Sequence, residues 1–309
     1  MEGIHRRKLA LIEALVLGLA TALLAGPARA QGVIGINQAA ALAGGVTPGD
    51  APGFPVTISQ SGSYVLTGNL TVPDANTDGI QIVDTPSAHV DLGGFEIAGP
   101  VSCAYTLPGG FMGPVTCTPT GGTGRGVFST RTTSGPQEYV ATVRNGTIRG
   151  MGGSCVELSG QARVEHLQLL NCGGFAIYAT GSIANNAIKY AASVGIYGGG
   201  DVFGNVITYT HEGIFLRYGG AARGNVVSWS ATHGIRCETG CTVVENTVTF
   251  SASYGLYLAN CAPGGCIPRL VSGYANNLLN HNNRGNSNPQ VFGGVETGGN
   301  VCGLDGSCP

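Results

Sequence analysis

Six ionisable residues between positions 211 and 238 have the types that acid–base chemistry needs. This polar patch holds two histidines, two glutamates and two arginines: His211, Glu212, Arg217, His233, Arg236 and Glu238. Histidine and glutamate side chains exchange protons with a substrate, and arginine binds anionic groups. One interpretation is therefore a catalytic or sugar-binding patch, and its candidate catalytic residues are listed here: Glu212, His233, Arg236 and Glu238.

A structural interpretation of the polar patch competes with the chemical one. Glu212 and His233 each precede a glycine, and Arg217 and Glu238 each lie four residues after the same glycines. Residues in matching positions of stacked coils lie about 5 Å apart, so the patch reduces to two ion pairs, Glu212–His233 and Arg217–Glu238. Asp78 and Arg125 match in the same way, which favours this interpretation. Exposed pairs of this kind contribute only ~0–1 kcal/mol each.

A repeat of about twenty residues must position these side chains. Asparagine recurs at 186, 205, 225 and 246, and each is followed by a β-branched residue and then a glycine. The apolar residues that follow the glycine position mark eight coils: Ile80, Val127, Val156, Ile177, Ile196, Ile214, Ile235 and Leu256. Apolar residues recur two apart, which indicates strands rather than helices. Such a period is typical of stacked repeat architectures.

Three series of side chains share one parity and are predicted to point into the coil. They are an asparagine ladder, a β-branched ladder, and an aromatic stack of Tyr190, Tyr209, Trp229 and Phe250. Stacked amides satisfy one another's hydrogen bonds at a corner, and stacked rings bury a large area.

With these ladders the chain resembles the right-handed parallel β-helix superfamily, the pectate-lyase-like fold. The resemblance covers roughly residues 56–288, and the stretch from Val56 to Leu70 is similar to the opening of bacterial secreted β-helix repeat proteins. The predicted fold is all-β, a single-stranded right-handed parallel β-helix of about eight or nine coils. Residues 31–55 are predicted to be an N-terminal cap, residues 56–288 the β-helix, and residues 289–309 a C-terminal cap.

The fold hosts lyases, hydrolases, epimerases, esterases and binding proteins, so a site must decide the activity. Asn76–Gly79 matches the first motif of polygalacturonase-like hydrolases, and His233 faintly matches their histidine motif. Six coils separate Asp78 from His233, nearly 30 Å at about 4.8 Å per coil, and inverting hydrolysis needs its carboxyls within about 10 Å. The acidic residues form no cluster of the kind that Ca²⁺ requires. We therefore expect no metal and no cofactor.

A second candidate site is a row of planar side chains two positions after each glycine. This outward row consists of Tyr178, Tyr197, Phe215, Arg236 and Tyr257. With Arg217, these are the predicted substrate-binding residues, because a ladder of flat groups suits an extended glycan. Two alternatives stay open: sheets favour aromatic residues in any case, or a loop covers the row.

The chain's N-terminus and cysteines predict export. Arg6 to Lys8 are basic, residues 9–25 are apolar apart from Glu13, and Ala28–Ala30 is a small-residue cleavage site, so residues 1–30 read as a signal peptide; a membrane anchor is the alternative. Ten cysteines follow it and predict five local disulfides: Cys103–Cys117, Cys155–Cys172, Cys237–Cys241, Cys261–Cys266 and Cys302–Cys308. The expected location is extracellular or periplasmic.

The balance of charged side chains limits the classes of partner that we expect. The mature chain keeps 11 basic and 15 acidic side chains, so nucleic acid and membrane surfaces are not expected partners. The leading functional prediction is binding of an extended polysaccharide along the outward row. The alternatives are a polysaccharide lyase or glycoside hydrolase of the β-helix type, and a non-catalytic structural or adhesin-like surface protein. Whether the chain is an enzyme stays open at this point.

Overall fold

A computed structural model describes residues 32–130, 139–259, 270–285, 287–303 and 308. The predicted signal peptide and the Cys261–Cys266 pair lie outside these residues. One short helix, α1, spans Gln38–Ala43, and the Asn37 side chain caps it by accepting a 3.0 Å hydrogen bond from the Ala40 amide. A 3-10 turn spans Pro108–Gly110.

The remaining elements are strands. Those of the first half are β1 Ile34–Ile36, β2 Val56–Ile58, β3 Gly62–Leu66, β4 Leu70–Thr71, β5 Ile80–Val83, β6 Ser87–Asp91, β7 Glu96–Ala98, β8 Ser102–Ala104, β9 Thr116–Thr118, β10 Val127–Thr130, β11 Val140–Arg149 and β12 Val156–Cys172. Those of the second half are β13 Ile177–Ala184, β14 Ala187–Phe203, β15 Val206–Arg223, β16 Val226–Ser230, β17 Ile235–Cys237, β18 Cys241–Val244, β19 Thr247–Thr249, β20 Leu256–Leu258, β21 Gly273–Ala275, β22 Leu278–Asn280, β23 Val291–Gly293, β24 Val295–Gly298 and β25 Val301–Cys302.

Parallel pairing arranges all of these strands except β8 and β9 into three faces of a solenoid. The first face stacks β2, β5, β10, β12, β13, β14, β15, β17, β20 and β23 in that order. The second face runs from β1 and β3 to β24, and the third from β4 to β25. Long strands such as β12, β14 and β15 pass through the corners and contribute to more than one face. The chain is thus a right-handed parallel β-helix, as its sequence predicts.

The register follows the repeat. All eight predicted coil positions pair with one another on the first face, and Val56 and Val291 extend the series at its two ends. That face therefore has ten rungs among the described strands, against the eight or nine predicted coils. Strands β23 to β25 pair in parallel with the preceding coil, so the solenoid continues into the segment predicted as a C-terminal cap.

The asparagine ladder lies inside the coil. Asn186, Asn205, Asn225 and Asn246 are at most 1% exposed, and Asn277 and Asn300 continue the ladder. From Asn205 onward, each side-chain oxygen accepts from the backbone and side-chain N–H groups of the asparagine one coil earlier, and both bonds from Asn205 to Asn225 are 3.0 Å long. The Asn186 oxygen, at the start of the ladder, accepts from the Leu167 amide. The Asn205 side chain also donates to the Ile183 carbonyl at 3.0 Å. This network satisfies buried amides that would otherwise cost about 1–3 kcal/mol each.

The aromatic stack points outward, so the prediction that it faces the core is wrong. Tyr190, Tyr209, Trp229 and Phe250 have φ between 55° and 62°, a left-handed backbone that breaks strict in–out alternation. They form an outer aromatic stack in which Trp229 and Phe250 lie 4.5 Å apart at an interplanar angle of 5°. Tyr105, from the hairpin of β8 and β9, stacks over Tyr209 at 4.3 Å. Ring stacking offsets the cost of left-handed backbone in bulky residues.

Four of the five predicted cysteine pairs form disulfides in the described residues. They are Cys103–Cys117, Cys155–Cys172, Cys237–Cys241 and Cys302–Cys308. The first closes the antiparallel hairpin of β8 and β9, in which Cys103 and Cys117 face each other. This hairpin holds Tyr105 against the outer aromatic stack.

Candidate functional site

The outward row lies in register along the first face. Pairing places Tyr178 beside Tyr197, Tyr197 beside Phe215, Phe215 beside Arg236, and Arg236 beside Tyr257. Phe292 stands next to Tyr257 in the following rung. Sequence reasoning missed Phe292 because the residue before Val291 is Gln290 rather than the glycine that marks the other coils.

Most rings of the outward row turn their faces toward each other. Tyr178 and Tyr197 stack at 5.0 Å with planes 10° apart, and Tyr257 and Phe292 stack at 4.9 Å with planes 9° apart. Rings stacked along the solenoid axis present edges and hydroxyl groups to solvent, since neighbours occupy the faces between them. Tyr178, at 39% exposed, and Phe292, at 45%, lie at the two ends of this series.

The middle of the outward row is covered by arginine. The Arg236 guanidinium lies 4.2 Å above the Phe215 ring, and Tyr197 meets Phe215 edge to face at 5.0 Å. Phe215 is consequently only 8% exposed. Its ring packs beneath Arg236 and cannot itself present an open face to a ligand.

Two arginines connect the outward row to the polar patch. Arg217 donates from Nη1 to the Tyr197 hydroxyl at 2.8 Å, and its Nε lies 3.8 Å from Glu238 Oε2. Arg236 Nη2 lies 3.6 Å from Glu238 Oε1. Each carboxylate oxygen of Glu238 thus faces a different guanidinium, and Glu238 itself is buried.

Glu212 is the most unusual member of the polar patch. It is 6% exposed, and its Oε1 atom is buried without a hydrogen-bond partner among the described groups. Burial raises the pKa of Glu212 from 4.5 to about 7; the Arg236 charge opposes this rise, and the Glu238 charge adds to it. A carboxyl group in this environment keeps its proton up to near-neutral pH.

His233 and Arg236 also carry buried polar atoms that lack partners, as do the hydroxyl groups of Thr210, Ser230 and Ser251 in the same and adjacent coils. The His233 Nδ1 and Arg236 Nε atoms have no hydrogen-bond partner among the described groups. The His233 ring stacks on Tyr257 at 4.5 Å. Burial, followed by repulsion from Arg236, lowers the pKa of His233 to about 4. Three polar groups are therefore assembled without satisfying one another, which is uncommon outside functional sites.

The structural interpretation of the polar patch is half right. Arg217 and Glu238 form the expected ion pair. Among the ion pairs of the described residues, none joins Glu212 to His233, and the environment drives both of these groups toward their neutral forms. The His211 side chain makes no hydrogen bond or ion pair with the other five members within the described chain.

Aromatic residues immediately before the glycine positions form a column beside the outward row. Phe175 packs on Tyr178 at 5.4 Å and on Tyr197 at 5.1 Å. Tyr254 packs on Tyr257 and Phe292 at 6.1 and 5.5 Å. This column occupies the same position in the coil as Glu212 and His233.

The Asn76–Gly79 motif takes part in a separate contact. Asp78 accepts hydrogen bonds from the Arg125 backbone at 2.7 Å and from Arg125 Nε at 3.1 Å. Backbone pairing counts six rungs from Asp78 to His233, a separation of about 29 Å. The two residues do not share a site, as the sequence predicts.

In the described part of the chain, no group of three or more His, Cys, Asp or Glu side chains is placed to hold a metal ion. None of the helices described there is long and apolar enough to cross a membrane.

Comparisons with known proteins identify no family for this chain. No protein-family model matches the chain, and no curated protein matches it. Among solved structures, the crystal structure of the periplasmic alginate epimerase AlgG is similar at 14% sequence identity and a TM-score of 0.34, covering 79% of this chain and 74% of that chain. At so low a TM-score, the fold assignment depends on the strand pairing described above.

Proposed function

We propose that this protein is an exported β-helix that binds an extended polysaccharide along the outward row. The main observation in support of this proposal is the unbroken register of planar side chains from Tyr178 to Tyr257, which Phe292 extends. From Tyr178 to Phe292 this series spans about 24 Å, five steps of about 4.8 Å. Export is supported by the predicted signal peptide and by four disulfides, which form and persist in oxidising compartments.

The geometry of the rings defines how a sugar chain would bind. Ring edges give a narrow apolar strip, and the hydroxyl groups of Tyr178, Tyr197 and Tyr257 with the Arg217 guanidinium give hydrogen-bonding groups beside it. Stacking of a sugar on a ring face is restricted to Tyr178 and Phe292 at the ends. Binding sites combine an apolar surface with a few placed polar groups in this way.

A glycan-retention experiment tests the proposal. Tyr178→Ala with Tyr197→Ala removes a stacked pair outside the core, in which Tyr178 is exposed and Tyr197 half-buried. We expect retention on an immobilised polysaccharide that binds the native protein to fall at least tenfold. Phe95→Ala, which truncates a 37% exposed ring outside the row, is the matched control. Equal retention of the double variant and the control, at equal melting temperature, would remove the outward row as the binding surface.

A second candidate function is cleavage of the bound polysaccharide by a lyase or hydrolase reaction. Three unpartnered buried atoms, on Glu212, His233 and Arg236, favour it. A carboxyl group that holds its proton to about pH 7 can donate that proton to a leaving-group oxygen. Candidate catalytic residues then are Glu212, His233, Arg236 and Glu238.

A product assay separates binding from cleavage. Incubation with a panel of neutral and acidic polysaccharides, followed by detection of reducing ends and of unsaturated uronic products, gives a signal only if a bond is broken. For an acid role of Glu212, activity falls as pH rises through about 7, and Glu212→Gln loses at least 100-fold. Retention without product leaves a binding protein, and the absence of both leaves a structural or adhesin-like solenoid.

A further inference from the structure

A trough of about 440 Å³ lies at the Tyr178 end of the outward row. Phe175 forms one wall, and this ring also packs on Tyr178 and Tyr197. The opposite wall carries Asn76 and Asp78. The trough is therefore continuous with the surface that we propose for the polysaccharide.

Bare backbone forms the floor of the trough. Gly153 donates to the Gly124 carbonyl at 2.8 Å, and Gly174 donates to the Gly153 carbonyl at 2.9 Å, so the rungs stay hydrogen-bonded through this corner. A Cβ atom on Gly153 would lie 2.7 Å from the Thr123 carbonyl oxygen. Close packing between rungs excludes side chains from this position, and the floor is flat.

Charged side chains line one side of the trough and leave it net negative. Arg125 donates to both oxygens of Asp78, and its Nη1 lies 3.3 Å from Glu157 Oε1. Two carboxylates thus share one guanidinium. An anionic sugar in the trough would meet an excess negative charge, whereas an uncharged sugar would not.

Hydrogen-bonding capacity in the trough is left unused. Ser154 lines it and is only 5% exposed, yet its hydroxyl group makes no hydrogen bond to any described group. Asn76 accepts from the Thr123 amide at 3.2 Å, while its Nδ2 has no partner in the described chain. The second oxygen of Glu157 is equally unengaged there. These groups face the trough without protein partners, and a donor–acceptor set above a flat floor matches sugar hydroxyl groups.

We propose that this trough is a subsite for one uncharged pyranose unit of the bound polysaccharide. Ser154, Glu157 and the Asn76 amide would bind its hydroxyl groups, and the Phe175 wall would place it in line with Tyr178. The proposal rests on the proposed function and deepens it, because it makes a unit without a carboxylate group part of the recognised chain.

Titration calorimetry with three hexasaccharides tests the subsite: a neutral cello-oligosaccharide, an oligogalacturonate and a chitosan oligomer. We expect the mature protein to bind the neutral hexamer at least tenfold more tightly than the oligogalacturonate. Glu157→Gln should narrow that ratio below threefold, and Ser154→Ala should weaken the neutral hexamer at least fivefold. Glu96→Gln is the control, because Glu96 pairs with Arg149 outside the trough.

The outcomes distinguish the subsite from the proposed function. If Tyr178→Ala with Tyr197→Ala weakens binding, but Ser154→Ala does not weaken the neutral hexamer and Glu157→Gln does not narrow the ratio, the outward row binds the glycan and the trough does not. If none of these variants weakens binding, both proposals are overturned. Tighter binding of the oligogalacturonate or of the chitosan oligomer overturns the assignment of an uncharged unit.

Discussion

Replacing Glu212 by glutamine should change how stability depends on pH, and the sign follows from burial. In the unfolded chain this carboxyl group ionises near 4.5, and in the folded protein near 7. Between these values the folded state binds more protons, so the free energy of unfolding of the native protein falls as pH rises. A difference of 2.5 pKa units corresponds to about 3 kcal/mol.

The Glu212→Gln variant has no carboxyl group to ionise at this position, so its free energy of unfolding does not fall with pH for this reason. The free energy of unfolding of the variant minus that of the native protein should rise by about 3 kcal/mol between pH 4.5 and 7, then stay constant above 7. Chemical denaturation of the disulfide-intact chain at half-unit pH steps measures it, with Trp229, the chain's single tryptophan, as the fluorescent probe.

His233 makes the free energy of unfolding change with pH in the opposite direction, which gives the experiment a second observable. Its pKa falls from 6.5 unfolded to about 4 folded, so the native protein loses stability as pH falls through that range. The two slopes oppose each other from pH 4.5 to 6.5, and Glu212→Gln should expose the histidine slope there. Glu96→Gln is a control of opposite sign, since Arg149 lowers the pKa of Glu96 in the folded protein. A Glu212→Gln difference that does not vary with pH would refute the reasoning about burial.

Three further predictions concern the fold and its outer surface. Asn225→Leu should lower the free energy of unfolding by about 2–5 kcal/mol, because the backbone and side-chain N–H groups of Asn205 lose their acceptor; Val226→Ala on the exposed side is the control for chemical denaturation. Acrylamide should quench Trp229 fluorescence in the folded protein, whereas protection equal to that of a core tryptophan would contradict its outward orientation. Replacing Cys103 and Cys117 by serine should speed proteolysis of the hairpin of β8 and β9 while the melting temperature of the solenoid changes little, and unchanged cleavage would show that the disulfide does not secure the hairpin.

Periodicity predicts most of the solenoid because each coil position is repeated many times. The asparagine ladder, the inward apolar residues and the outward row all follow from the distance to glycine. Four cysteine pairs were predictable because neighbouring cysteines in a compact coil have few other partners. Extra rungs at Val56 and Val291 were missed because these ends depart from the glycine pattern.

The in–out alternation of side chains fails at the corners. This explains why the sequence predicts the wrong orientation for the aromatic stack. A strand alternates only while its backbone stays extended, and Tyr190 and its counterparts have φ near +60°. The left-handed corner could be suspected at His281 and Asn171, which hold the same corner position in neighbouring coils and are residue types that adopt positive φ more readily. Large rings at that position give no such signal.

The candidate site was predictable in its residues but not in its energetics. Matching positions place Glu212 near His233 and Arg217 near Glu238, but they do not show that Glu212 is buried without a partner. The outward row was predicted as open planar groups, and the structure instead turns ring faces toward each other and covers Phe215 with Arg236. Burial and ring orientation depend on rotamers, which spacing alone does not determine.

Binding of oligosaccharides of increasing length to the protein without residues 1–30 tests the central proposal most directly. The affinity for a bound polysaccharide type should rise with each added unit until the oligosaccharide matches the roughly 24 Å from Tyr178 to Phe292, and then level off. Tyr178→Ala with Tyr197→Ala should shorten the length at which it levels off. An affinity that is independent of length, or a double variant that binds like the native protein at every length, would contradict an extended glycan site on this face.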